Sequence, residues 1–408
     1  MTRRKRLVIV TPFAPRLDAL HGGGRAMANL ITALTSNHDV SLLAVRAPDE
    51  PGLDATLITA CVRAEEFVRG IAVTRAGRLR RKARSLANAI VGVPSWASHC
   101  WHPDLAQRLP SLIADWRPDV VQFEFHVMGQ YAALCRDGAV ARVLTHHEPG
   151  VPAAREQLGA ARGPARVTAL LEYAAWRRYE TRILRQIDAC VVFTERDAIA
   201  VRATAPGARV ECVPLGVGVP ARALNPRGSA PGQILYVGNY RHPPNVDAAL
   251  RLVRDILPRV REQVPDATVV IAGASPTSEL LSVKGPFVAV TGEVPSVEPY
   301  LDAASVVAIP LRRGGGMRVK GLEALAAGKA VVATRLALEG IGVVDGEQAL
   351  IADDDAAFAD AVSSLLRDPE RRARMGAAAR WWAECAPDWE SVAARYAALY
   401  AELRAVQG

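Results

Sequence analysis

Residues 309–334, IPLRRGGGMRVKGLEALAAGKAVVAT, bring three consecutive glycines, a lysine and a carboxylate into one short stretch. Gly314, Gly315 and Gly316 stand ahead of a helical pattern read over 317–327, which Gly328 stops. Bare backbone lets another group come close to the N–H donors, and a helix amino terminus adds partial positive charge, so the place suits a phosphate. Lys320, about one turn into that helix, reaches a diphosphate. Glu323, three residues on and sharing its face, is placed to accept hydrogen bonds from a ribose diol. A nucleotide laid along the helix accounts for all three features. A solvated Lys–Glu pair beside an ordinary turn accounts for the same residues, and would contribute only roughly a few tenths of a kcal/mol.

Other residues with chemical potential lie in the first half. HGGGR (21–25) sets Gly22, Gly23 and Gly24 as a loop between a strand and a helix. It lacks the G-x-G-x-x-G spacing, and no acidic residue ends the next strand, so a dinucleotide fingerprint is not met. VLTHHEP (143–149) ends a strand with His146 and His147, where open α/β sheets carry functional groups. Either histidine is also compatible with a core position. Glu124, in DVVQFEF, is a further acidic candidate at a strand end. The six cysteines are scattered, with neither CxxC nor zinc spacing, and read as reduced thiols of a cytoplasmic protein. ADDDAAF (352–358) reads as an acidic helix start, and no carboxylate pair demands a metal.

The elements that must position these groups follow a regular alternation. A chain of 408 residues, half of them hydrophobic and 23% charged, is globular and long enough for two domains. Short apolar runs read as strands at 6–12, 39–45, 119–125, 141–147, 188–194 and 209–216, then at 233–239, 267–273, 287–293, 305–311 and 330–335. They show little period-two alternation, which fits parallel strands buried on both faces. Helical patterns fall between them, at 24–36, 166–187, 244–262 and 317–327. The expectation is a doubly wound α/β architecture. Pro, Gly and Ser crowd into 213–233, marking a boundary. The expected division is 1–216, a linker at 217–232, a second domain over 233–386, and a final amphipathic helix at 387–408 that packs on either domain.

MTRRKRLVIVTPF carries too short an apolar run for a secretory leader and reads as the first strand. No stretch of about 18 apolar residues occurs, so a membrane span is not expected. The net charge of +8 favours anionic partners without choosing among them. Its densest source is 69–96, where arginines mix with Leu, Ile and Val. That pattern suits an anionic membrane surface as well as a solvated helix. Few aromatic residues interleave these arginines, which disfavours nucleic acid.

The glycine–lysine–glutamate stretch resembles the nucleotide-sugar motif of family 4 glycosyltransferases, retaining enzymes of GT-B fold. LYVGNYRHPPNVDAALRLV (235–253), TGEVPSVEPYLDAASVVAIPL (291–311) and residues 336–376 follow the same family's carboxyl-terminal domain in order. TPFAPRLDALHGGGRAMANLITAL, RRYETRIL and CVVFTERDA match its amino-terminal half more loosely. The resemblance covers most of the chain and is densest after residue 230. It implies two Rossmann-like domains facing across a cleft, and sugar transfer from a nucleotide diphosphosugar to a hydroxyl of a glycan or lipid, with retention. Because no carboxylate pair demands a metal, the transfer is expected to need neither a metal nor another cofactor. It implies that Glu323 holds the ribose, as the second acid of an E-x7-E pair. The first acid of that pair falls at Gly315, a departure that leaves sugar selectivity open. By the same resemblance Lys320 and Arg241 neutralise the diphosphate, and His147 lies near the donor sugar. Gly22–Gly24, Gly238, Asn239, Gly314–Gly316 and Met317 surround the donor, and Arg318 substitutes for a missing second basic residue if it is not turned away from Lys320. Peripheral placement at the inner face of a membrane, through 69–96, is compatible with this. The rivals are a sugar-nucleotide epimerase of the same architecture and a basic membrane-binding protein with a degenerate sugar site.

Overall fold

A computed structural model describes residues 4–19, 21–70, 83, 85–135, 140–316 and 318–405. The chain divides into two compact units. One comprises the residues up to Ala19, 23–214 and those from Glu390 on, and the other comprises 215–389 with His21 and Gly22.

Among the described residues the first unit holds a seven-stranded parallel sheet. Its strands are β1 (Arg6–Thr11), β2 (Asp39–Arg46), β3 (Arg63–Val68), β4 (Val120–Glu124), β5 (Ala141–Thr145), β6 (Ala189–Val192) and β7 (Val210–Cys212). They lie in the order β3-β2-β1-β4-β5-β6-β7. The order reverses direction at β1, whose Leu7 pairs with Val40 on one side and Val120 on the other. Leu7, Val8, Ile9 and Val10 are fully buried, as an apolar run covered on both faces must be. The edge strand β3, RAEEFV, had no apolar run to announce it. Charges guard it instead: Glu65 pairs with Arg108 at 2.7 Å and Glu66 with Arg46 at 2.7 Å.

The second unit repeats the plan with β8 (Gln233–Val237), β9 (Thr268–Ala272), β10 (Val288–Gly292), β11 (Val306–Ile309), β12 (Val331–Ala333) and the two-residue β13 (Leu350–Ile351). Their order is β10-β9-β8-β11-β12-β13, all parallel. Each unit is thus a Rossmann-like sheet, and the strands expected from apolar runs form, most of them ending before the expected carboxyl-terminal residue.

The stretch whose composition marks a linker is bonded into the second unit. Leu224 N donates to Ala327 O at 2.9 Å and Asn225 N to Asp302 Oδ1 at 2.9 Å. The Lys329 ammonium, wholly buried, donates to Asp302 O at 3.2 Å and to Asn225 O. Burial pushes that amine down to about 8. The last helix, Trp389–Ala405, belongs to the first unit from Glu390 onward. There Tyr396 and Tyr400 are buried, and Lys5 donates to Tyr400 O at 3.2 Å. All six cysteines are free, and Cys61, Cys100, Cys135 and Cys190 are buried.

Two strand ends in the second unit meet without room for side chains. Gly273, just past β9, has φ of +133°, and a Cβ there would lie 1.9 Å from Gly238 O, just past β8. Backbone cannot retreat as a flexible side chain can. Gly273→Ala is therefore expected to destabilise the protein by about 3 kcal/mol or more, read as a lowered urea midpoint at unchanged slope.

Candidate functional site

In the second unit the carboxyl ends of β8, β9 and β11 carry the glycine-rich turns. Gly314 and Gly316 have φ of +113° and +68°, which glycine adopts without strain. The helix after them runs from Val319 to Ala326, starting two residues later and ending one residue earlier than the sequence pattern indicated. Arg318 is the reason. It sits before the helix in extended conformation (φ −93°, ψ 92°) and its buried guanidinium bends back to donate to the carbonyls of Gly315 and Gly316. Arg318 therefore braces the loop from its own end and does not ride on the helix facing away from Lys320. Met317 lies outside the described residues.

Lys320 consequently falls in the first turn. Its Nζ donates to Asn245 Oδ1 at 2.7 Å and to the Tyr236 hydroxyl at 3.2 Å, and lies 4.6 Å from the Tyr236 ring centroid. Asn245 is itself fixed, donating from Nδ2 to Asn239 O at 2.8 Å and accepting from the Tyr236 hydroxyl at 3.1 Å. Burial pushes the Lys320 amine down to about 7, the Arg318 guanidinium pushes the same way, and Glu323 opposes both. Glu323 is half-buried one turn along. Arg241 is exposed, its amide donating to Asn239 Oδ1 at 3.0 Å and its Nε to Ser275 Oγ at 3.1 Å. Asn245 and Tyr236 bring Lys320 together with Gly238 and Asn239, while the Gly314–Gly316 loop is held by Arg318 with Gly314 beside Pro244. Sequence reasoning missed Tyr236 and Asn245. Their signal was available: a polar-tipped aromatic near a strand's end and an asparagine in the first turn of the helix Pro243–Arg251 that follows.

In the first unit the carboxyl ends of the strands carry an aromatic and acidic cluster. Gly22–Gly24 are already helical, forming the first turn of Gly22–Thr35, where a loop was expected. His147 is buried, and its Nε2 lies 2.6 Å from Glu124 Oε2. Its ring stacks on Phe125 at 3.8 Å and meets Phe193 edge-on at 4.9 Å. Phe125 has φ of +65°, a costly conformation for a residue with a Cβ, directly after β4. Glu124 is thus the partner of His147 and not a separate candidate. His146 turns into the interior, stacked on His126 at 4.8 Å with its Nε2 3.3 Å from Glu180 Oε1.

Two family descriptions match the chain. "Glycosyltransferase Family 4" covers residues 20–219 and "Glycosyl transferases group 1" covers 231–368. The chain belongs to the family 4, group 1 glycosyltransferases. This glycosyltransferase is similar to a GDP-mannose-dependent alpha-(1-6)-phosphatidylinositol monomannoside mannosyltransferase of Mycolicibacterium smegmatis, at 37% identity over 35% of this chain and 42% of the other. It therefore spans under half the length of that relative. Among solved structures, a sucrose-phosphate synthase from Thermosynechococcus elongatus superposes with TM-score 0.74 at 17% identity, covering 99% of this chain and 100% of that one. Anabaena HepE in complex with UDP and glucose gives 0.65 at 12%, covering 97% and 99%. At these identities the likeness establishes the GT-B fold.

His126 makes a test of the buried cluster. Burial holds its pKa well below the ordinary 6.5, and the adjacent His146 and His147 add to this. The folded protein therefore binds fewer protons here than the unfolded chain. The contribution to stability is complete above about pH 6.5 and is lost as pH falls toward the depressed value. Melting temperature is expected to drop below pH 6.5 in the parent protein. His126→Phe, which keeps an aromatic ring against His146 and Trp176, is expected to flatten that drop in a scanning calorimetry series.

Proposed function

We propose that this glycosyltransferase moves a sugar from a nucleotide diphosphosugar to a hydroxyl of a glycan or lipid, with retention and without a metal. One observation carries the reading: a half-buried lysine in the first turn of the helix Val319–Ala326, preceded by three glycines and followed by Glu323. In the transfer, the bond from the anomeric carbon to the diphosphate oxygen breaks. The acceptor oxygen forms the new bond, and its hydroxyl proton leaves toward the departing diphosphate. Negative charge then accumulates on that diphosphate, where preorganised donors matter most. Lys320, Arg241 and the amides of Gly314–Gly316 supply them, and Glu323 accepts from the ribose. Gly315 brings no carboxylate to the donor sugar, so sugar selectivity must come from other contacts. His147, held by Glu124, is the candidate group of the first unit. GDP-mannose is the first donor to try because of the mycobacterial relative's named substrate.

The state of Lys320 makes the reading testable. A bound diphosphate favours the ammonium, and the free protein keeps that proton only up to about pH 7. Affinity should be full below that value and weaken above it. A nucleotide diphosphosugar is the right probe, since its diphosphate diester does not titrate in this range. Calorimetric titration with GDP-mannose, and with UDP- and ADP-sugars if that fails, is expected to show affinity falling about tenfold or more from about pH 6.5 to 8.5. Lys320→Met should abolish the dependence, and Glu323→Ala should weaken binding at every pH. Failure of every such donor to bind or to raise the melting temperature would overturn the proposal.

We infer that the acceptor is reached at a membrane surface. Among the described residues no helix is long and apolar enough to cross a membrane. Residues 71–82 and 84 of the basic run lie outside the described residues, but Leu86, Ile90 and Val91 within it are 47%, 59% and 69% exposed. Sedimentation with phosphatidylglycerol vesicles is expected to bring the protein down and phosphatidylcholine vesicles to leave it in solution. Changing these three residues to serine should weaken the association about fivefold or more.

A further inference from the structure

Four side chains in the first unit form one buried, directional chain of hydrogen bonds. The Tyr400 hydroxyl, on the last helix, donates to Gln122 Oε1. Gln122 Nε2 donates to Glu124 Oε1, and the other carboxylate oxygen lies 2.6 Å from His147 Nε2. Gln122 and Glu124 are two apart on β4 and so project from the same face of the strand. Tyr400 and Gln122 are wholly buried and Glu124 is 1% exposed, so no solvent stands by to replace a lost partner.

The direction of each bond follows from its neighbour. A carboxylate accepts only, so it takes N–H from Gln122 on one side and from His147 on the other. The amide must then present its oxygen to Tyr400, which fills it with a hydroxyl proton. Reversing the amide would set its oxygen against the carboxylate. We propose that Tyr400 is a positioning residue for His147, acting through Gln122 and Glu124, and so brings the helix Trp389–Ala405 into control of the transfer site. The effect is to commit Nε2 of His147 to Glu124, leaving Nδ1 as the nitrogen that can serve a ligand. This rests on the reading of His147 as a group at that site. Tyr396, one turn earlier on the same helix, provides the internal comparison. Its hydroxyl is 3.4 Å from Thr145 Oγ1 and its ring lies 6.1 Å from that of Tyr400, so it shares the electrostatic surroundings of Glu124 while bonding to Thr145 instead of Gln122.

The test compares Tyr400→Phe with Tyr396→Phe, each of which keeps the ring and removes one oxygen. In protein labelled with ¹⁵N-histidine, the Nε2–H of His147 is expected to give a downfield, slowly exchanging resonance, assigned by its loss in His147→Asn. Tyr400→Phe is expected to speed its exchange about tenfold or more, while Tyr396→Phe leaves it as in the parent. Gln122→Met, which spares the tyrosine, should reproduce the Tyr400→Phe signature and decides the matter if Tyr400→Phe does not fold. In turnover, Tyr400→Phe should lower kcat about fivefold with donor KM within about twofold. An unchanged His147 resonance in both Tyr400→Phe and Gln122→Met overturns the proposal. Full turnover by His147→Asn would instead remove the role given to His147, with the resonance still deciding whether Tyr400 positions the ring.

Discussion

A parallel strand buried on both faces offers polar groups to a ligand chiefly at its ends. Every residue along Leu7–Val10 or Val331–Ala333 is committed to packing, and all backbone groups there are committed to neighbouring strands. Side chains that must meet a ligand are therefore forced to the carboxyl-terminal edge, where loops leave the sheet and helices begin. Both units obey this. Gly238, Gly273 and Gly314–Gly316 follow β8, β9 and β11, while Phe125 and His147 follow β4 and β5. The price of that edge is crowding. It shows as a non-glycine residue at positive φ in Phe125 and as two backbones that touch at Gly238 and Gly273.

The polar groups so placed are held in different electrostatic states. Lys320 is enclosed but has an asparagine oxygen, a hydroxyl and an aromatic face to receive it, so it stays close to the point of losing its proton. Arg318 is kept from competing by the two glycine carbonyls it binds. His126 packs against the rings of Trp96, His146 and Trp176, and burial favours its neutral form. Low dielectric raises the stakes of each arrangement, because a lost partner is not replaced by water.

Arg251 illustrates how the second unit keeps its edge rigid. Almost wholly buried, it donates to Pro310 O at 3.0 Å and to Asp353 O at 2.6 Å, and pairs with Asp355 at 2.6 Å. One guanidinium thus ties the exit of β11, just before the glycine loop, to the segment that follows β13. A π-turn, Leu252–Ile256, follows it directly in the helix. Such turns recur near functional sites.

The alternation of apolar runs and helical patterns determined the two doubly wound sheets, because burial on both faces leaves a contiguous signature in any chain. The glycines, Lys320 and Glu323 were legible for a related reason, since their spacing alone sets which side of a short helix they share. What only the tertiary structure decided is what each charge meets. Strand β3 escaped because its residues are paired charges and not an apolar run. The late start of the helix at Val319 depended on Arg318 turning back on its loop. Glu124 became the partner of His147, and Tyr400 the neighbour of Gln122 across 278 positions of sequence, through contacts no local pattern encodes. Periodicity records where a side chain points relative to its own element. Which buried group stands opposite is settled only when separate elements pack together.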